Sequence, residues 1–126
     1  MARIIIVDDD PMTIDIVRAT LEKDGHIVGA LPDGSSVADV AVHKRPDLMI
    51  LDCSMPYVNG IDALREVRRS TNFDLPILML TGRTSASDER IAFHAGADDY
   101  LRKPFDPDQL SIRVAALLDH QQRGAG

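Results

Sequence analysis

The feature that most constrains this chain is its repetition of short apolar runs, each followed by a segment of helix length. Residues 3–7, 27–31, 47–51, 76–80 and 98–102 read as five strands, the first four rich in Ile, Val, Leu and Met. The intervening segments carry helix signals. Asp10 is an N-cap with Pro11 at the first helical position, Ile14, Val17 and Leu21 share one face, and the helix closes near Gly25. Further helices are predicted over residues 35–44, 60–70, 84–95 with Gly96 as the stop, and from 107 to about 120. Asp106 caps the last, and Leu110, Val114 and Leu117 form its apolar stripe. Strands apolar on both faces and joined by helices describe a parallel sheet between helical layers, because parallel neighbours need crossover connections. The expected fold is therefore one doubly wound α/β domain over residues 1–119, with a polar, glycine-ended tail at 120–126 reading as a flexible segment or linker stub.

Parallel strands all point one way, so the residues that follow them gather on a single rim, where α/β folds place ligands. Asp8, Asp9 and Asp10 follow the first strand, Asp52 the third, Thr81 and Gly82 the fourth and Lys103 the fifth. Any one of these is an ordinary loop residue; together they crowd like charge. Two unit charges ~4 Å apart cost about 4 kcal/mol at an effective dielectric of 20, so a positive group is required. Lys103 supplies one charge, and the remaining oxygen donors suit a hard divalent cation, the pattern of magnesium. Asp10 differs, since capping is a sufficient structural role for it.

The chain has 126 residues, enough to bury roughly two thirds of its unfolded surface in one core. Lysine plus arginine is 14 and aspartate plus glutamate is 20, giving a formal charge of −6. That sign argues against direct binding to a nucleic-acid backbone. No apolar stretch approaches the ~20 residues of a membrane span, no secretory segment is evident, and the single cysteine, Cys53, fits a reducing, cytoplasmic setting.

These residues give the chain a resemblance, from Arg3 to about Leu118, to the receiver domain of two-component response regulators. The motifs are Ile4-Ile5-Ile6-Val7-Asp8-Asp9-Asp10-Pro11, Asp52-Cys53-Ser54-Met55-Pro56 with Gly60 four residues on, Leu80-Thr81-Gly82, and Gly96-Ala97-Asp98-Asp99-Tyr100-Leu101-Arg102-Lys103-Pro104-Phe105. Each is weak alone; their order and spacing are specific. The resemblance implies a flavodoxin-like fold with strand order 2-1-3-4-5 and five flanking helices. It also implies phosphorylation of Asp52 by a sensor histidine kinase or histidine phosphotransfer protein. Asp9, Asp52 and the backbone carbonyl of Ser54 would hold magnesium, with Asp8 acting mainly through water. Lys103 and Thr81 would contact phosphoryl oxygens, and Lys103-Pro104 would be a cis peptide. Tyr100 matches the family's switch aromatic. Ser54 and Arg83 stand at the positions that tune phosphoryl lifetime and predict slow self-dephosphorylation.

The implied protein is a switch rather than an enzyme, with an output partner at the face of the fourth helix, fifth strand and fifth helix, and no nucleic-acid or membrane contact of its own. Asp98, Asp99 and Arg113 fit the salt-bridged pairing of receivers through that face, whereas Ile91 and His94 depart from its pattern. Strand alternation turns Cys53 away from Asp52, as a small packed hydrophobe. The histidines are scattered without metal-ligand spacing. A phosphatase of the aspartate-nucleophile class is the main rival, but Met12 stands where such enzymes have Thr or Val. A nucleotide-binding module lacks its glycine-rich loop. A phosphate-sink receiver without output switching is a further alternative.

Overall fold

The structure, a computed structural model, describes residues 1–53, 59–82 and 86–125, with the side chains of 86–88 and 121–125 left out. Its elements alternate strictly: β1 (Arg3–Val7), α1 (Pro11–Lys23), β2 (Ile27–Leu31), α2 (Val37–Lys44), β3 (Leu48–Asp52), α3 (Gly60–Ser70), β4 (Ile77–Thr81), α4 (Ala86–Ala95), β5 (Asp99–Arg102) and α5 (Pro107–Ala125). All strand pairings are parallel, in the order β2-β1-β3-β4-β5. This is the doubly wound, flavodoxin-like arrangement expected from the sequence.

Strand alternation divides the interior into two layers. Ile4, Ile6, Leu48, Ile50, Leu78 and Leu80 pack with Val17 and Leu21 of α1 and Leu110 and Val114 of α5. Met49, Leu51, Ile77 and Met79 point the other way, against Val37, Ala41, Leu64, Val67 and Ala92 of α2, α3 and α4. Every residue of β3 and β4 is buried, because helices cover both of their faces. Cys53 lies in the second layer, on the opposite side from its neighbour's parity, as alternation requires.

The boundaries differ from expectation in instructive places. The ladder carries β3 to Asp52 and β4 to Thr81, through the pairs Asp52↔Leu80 and Thr81↔Arg102, so these polar residues end their strands rather than follow them. Asp98 stays outside β5, its side chain accepting from Ile77 N–H at 2.8 Å and from Arg68 at 2.9 Å. α2 starts at Val37 because Ser35 closes a turn on the Asp33 carboxylate, which hydrogen-bonds both its N–H and its hydroxyl. α5 is helical to Ala125, past the expected end near His120, since Gln121, Gln122 and Arg123 are good helix formers and the first unfavourable residue is Gly124. α4 is described from Ala86; Thr84, where the sequence starts this helix, lies outside the described residues.

Candidate functional site at the strand C-terminal rim

Each element delivers its side chain to the rim for a local reason. Asp8 follows β1, its N–H bonded to Leu31 carbonyl at 3.1 Å and one carboxylate oxygen accepting from Asp10 N–H at 2.9 Å. It is fully buried. Asp10 is spent on α1: its carboxylate accepts from Met12 N–H at 3.1 Å and from the Thr13 hydroxyl at 2.9 Å. Those bonds, the Thr13 hydroxyl first, hold its pKa below the usual carboxylate value. Asp52, 4% exposed, ends β3 beneath the start of α3. Gly60 makes that approach possible, because a Cβ there would lie 2.0 Å from the Asp52 carbonyl oxygen. Asn59 caps the same helix end by accepting from Asp62 N–H at 2.9 Å.

Lys103 is fixed to β4 by a 2.7 Å bond from its N–H to Thr81 carbonyl, and the Lys103-Pro104 peptide is cis, as expected. Its ammonium reaches back across the rim, 2.8 Å from Asp8 Oδ2 and 3.5 Å from Asp52 Oδ1. Burial disfavours its charged form, but the Asp8 hydrogen bond and the charges of Asp52 and Asp8 outweigh that and raise its pKa above the ordinary lysine value.

Carboxylate oxygens of Asp8, Asp9 and Asp52 lie within 4.8 Å of one another, two of the residues buried and Asp9 exposed. Of these three acids, Asp8 and Asp52 face the Lys103 ammonium. Several hard oxygen donors with a solvent-facing side is a donor set that fits magnesium, which binds through a few carboxylates and keeps waters. Asp8, Asp9, Asp52 and Lys103 are therefore brought together as the sequence predicted. Thr81, fully buried, stands one residue beyond the Leu80 that pairs with Asp52. Tyr100 is 6% exposed, two positions before Arg102, with its ring centroid 6.5 Å from that of Phe93. Ser54 and Arg83 lie outside the described residues.

One group of charged residues was missed by sequence reasoning. Arg68, at the end of α3, donates to Leu75 carbonyl at 2.6 Å, to Gly96 carbonyl at 2.7 and 3.0 Å, and to Asp98 at 2.9 Å. Asp99 pairs with Arg113 at 2.8 Å, and Arg102 with Glu89 at 3.2 Å. Asp98, Asp99 and Arg113, read from sequence as residues for pairing between receivers, are thus engaged within this chain.

Residues 4–115 match the family model of the response regulator receiver domain. The chain is 42% identical to the DNA-binding dual master transcriptional regulator RpaA of Synechocystis, over 98% of this chain and 52% of the relative. It is 43% identical to the response regulator MprA of a Mycobacterium species, strain KMS, over 92% of this chain and 50% of that one. The chain therefore spans about half the length of these curated relatives. The BeF3-activated N-terminal receiver domain of Klebsiella pneumoniae RstA superimposes with a TM-score of 0.85 at 30% identity, covering 92% of this chain and 97% of that one. Sequence, fold and the acid-rich rim agree, and the chain belongs to the response regulator receiver domain family.

Proposed function

We propose that this domain accepts a phosphoryl group on Asp52 from a histidine kinase or histidine phosphotransfer protein and passes the resulting change to a protein partner. The observation that carries this reading is the rim itself: three carboxylates within 4.8 Å, one of them at the end of a central strand, with the Lys103 ammonium against two of them, Asp8 and Asp52. In the reaction an Asp52 oxygen attacks phosphorus, the P–N bond to the donor imidazole breaks, and the electron pair leaves with the imidazole. Asp9, Asp52 and Asp8 would hold magnesium, with the Ser54 carbonyl, and the metal would neutralise phosphoryl charge during the in-line transfer. Lys103 exchanges part of its present contact with Asp8 and Asp52 for a phosphoryl oxygen, and the Thr81 hydroxyl donates to another.

Output follows from Thr81. When its hydroxyl turns toward the phosphoryl group, the space behind it changes shape for Tyr100, which packs near Phe93 of α4. Tyr100 is already buried, so the switch is a repacking within the layer rather than an entry from solvent. The partner face is that of α4, β5 and α5. The DNA-binding named for RpaA belongs to a protein of about twice this chain's length; for this domain the acidic balance favours protein contacts over a phosphate backbone. Neither Ser54 nor Arg83 is suited to orient an attacking water, which favours slow self-dephosphorylation. Among the described residues no helix is long and apolar enough to cross a membrane.

The test is incubation of wild type and Asp52→Asn with magnesium and acetyl phosphate, read by intact mass, followed by NMR with beryllofluoride. Wild type should gain one phosphoryl group, and the variant none. Shifts should extend from the rim to Ile91, Ala95, Tyr100 and Leu101, and Thr81→Ala should lose the distal set while still accepting phosphate. Equal mass gain in both proteins would overturn the acceptor assignment; shifts confined to the rim would make the domain a phosphate sink; and turnover of a simple phosphate ester would favour the phosphatase reading.

A further inference from the structure

Along the β2 edge of the sheet, from Ile27 to Leu31, a recess of about 340 Å³ opens between the edge strand β2 and helix α2. Gly29 lines it and leaves it open. A side chain at the middle of an edge strand would ordinarily cover this part of the sheet, yet a Cβ built on Gly29 meets nothing within 4 Å. The exposed floor and wall are apolar: half-buried Ile5, Leu31 and Val40, with Ile27 54% exposed.

The charged lining residues are both cations. Arg3 begins β1, and Lys44 ends α2, which runs antiparallel to the strands, so both sit at one end of the recess. Among the described residues neither side chain is in an ion pair, in a chain whose net charge is −6. Asp47 is near, but its carboxylate is turned to the Arg3 backbone N–H at 2.8 Å. A largely apolar recess with two cations outside any ion pair at one end is complementary to a linear apolar chain carrying one anionic head. The head should be a monoanion. The C-terminus of α2 lies at the same end, and its partial negative charge opposes a dianion such as phosphate more strongly than a monoanion.

We propose that the recess between β2 and α2 binds a monocarboxylate amphiphile, its head held by Arg3 and Lys44 and its chain lying over Gly29. The site is independent of the phospho-acceptor reading and stands or falls without it.

The probe is decanoate, titrated below its aggregation range into the uniformly labelled domain and followed by amide NMR, with acetate and decanol as head-only and chain-only controls. Saturable shifts should cluster at Ile27, Gly29, Leu31, Val40 and Lys44. Acetate should leave these residues unchanged, and decanol should bind roughly tenfold more weakly, as should decanoate to an Arg3→Ala, Lys44→Ala double variant. Gly29→Leu, which has open space to occupy, should abolish binding. Shifts that do not saturate, that centre on α4 and α5, or that persist in folded Gly29→Leu would overturn the proposal. If Gly29→Leu does not fold, equal affinity of wild type for decanol and decanoate overturns it by itself.

Discussion

The molecule holds two clusters of charged side chains built on opposite principles. At the corner of α3, α4 and β5, Arg68 meets one carboxylate and two backbone carbonyls, and Asp98 Oδ2 in turn accepts from both Arg68 and Ile77 N–H. Charge is balanced, and the guanidinium makes four hydrogen bonds. On the rim, Asp8, Asp9 and Asp52 crowd together, with the Lys103 ammonium paired to Asp8 and Asp52, and two of those acids are buried. A balanced cluster stabilises by making bonds that would be expensive to leave unmade. An unbalanced one stores repulsion that only an added cation or a change of protonation relieves. Surplus charge in a buried setting thus separates a site from a clamp.

Breaking the clamp should have the largest effect on folding. Arg68→Ala removes the guanidinium from two carbonyls and leaves Asp98 with the Ile77 N–H bond alone; with a quarter of the Arg68 side chain exposed to screening solvent, the expected loss is about 2 kcal/mol in urea unfolding. Arg68→Lys should recover only part of it, because an ammonium cannot span Leu75, Gly96 and Asp98 at once. A loss below the error of the measurement would show that the clamp is decorative.

Asp10→Ala sharpens the contrast inside the Asp8-Asp9-Asp10 run. Removal of the cap that serves Met12 and Thr13 should lower Tm by a few degrees while phosphoryl acceptance persists. Loss of acceptance with unchanged stability would move Asp10 from the helix into the site. Smallest, and opposite in sign, is Asp9→Asn. Relief of repulsion should raise the metal-free Tm slightly, and the further rise that magnesium gives wild type should vanish. A variant still stabilised by magnesium as strongly as wild type would remove Asp9 from the ligand set.

The same contrast explains what could be read in the sequence. The strands were legible because β3 and β4 are apolar on both faces, and the rim because parallel strands must deliver Asp8, Asp52, Thr81 and Lys103 to one edge. Asp10 announced itself through Pro11. Arg68 did not: its partners Gly96 and Asp98 are 28 and 30 residues away, and no periodicity links them. What could have hinted at it is Gly96, whose φ of +116° and 3.0 Å approach to Arg68 require a glycine there. Helix ends were blurred where local turn chemistry competed, as with Ser35, or where good helix formers ran on, as beyond His120. Gly29 was read only as part of a strand; that its missing side chain leaves a recess depends on how α2 settles over the edge.

The central claim, that surplus charge on the rim marks Asp52 as the acceptor, is tested most directly by locating the phosphoryl group. Wild type treated with acetyl phosphate and magnesium would be reduced with borohydride, which converts an aspartyl phosphate to homoserine, then digested and sequenced by mass spectrometry. The account predicts homoserine at position 52 and nowhere else, dependent on magnesium and absent from Asp52→Asn. Homoserine at position 8 or 9, or an unmodified position 52 in a protein that has gained phosphate, would contradict it.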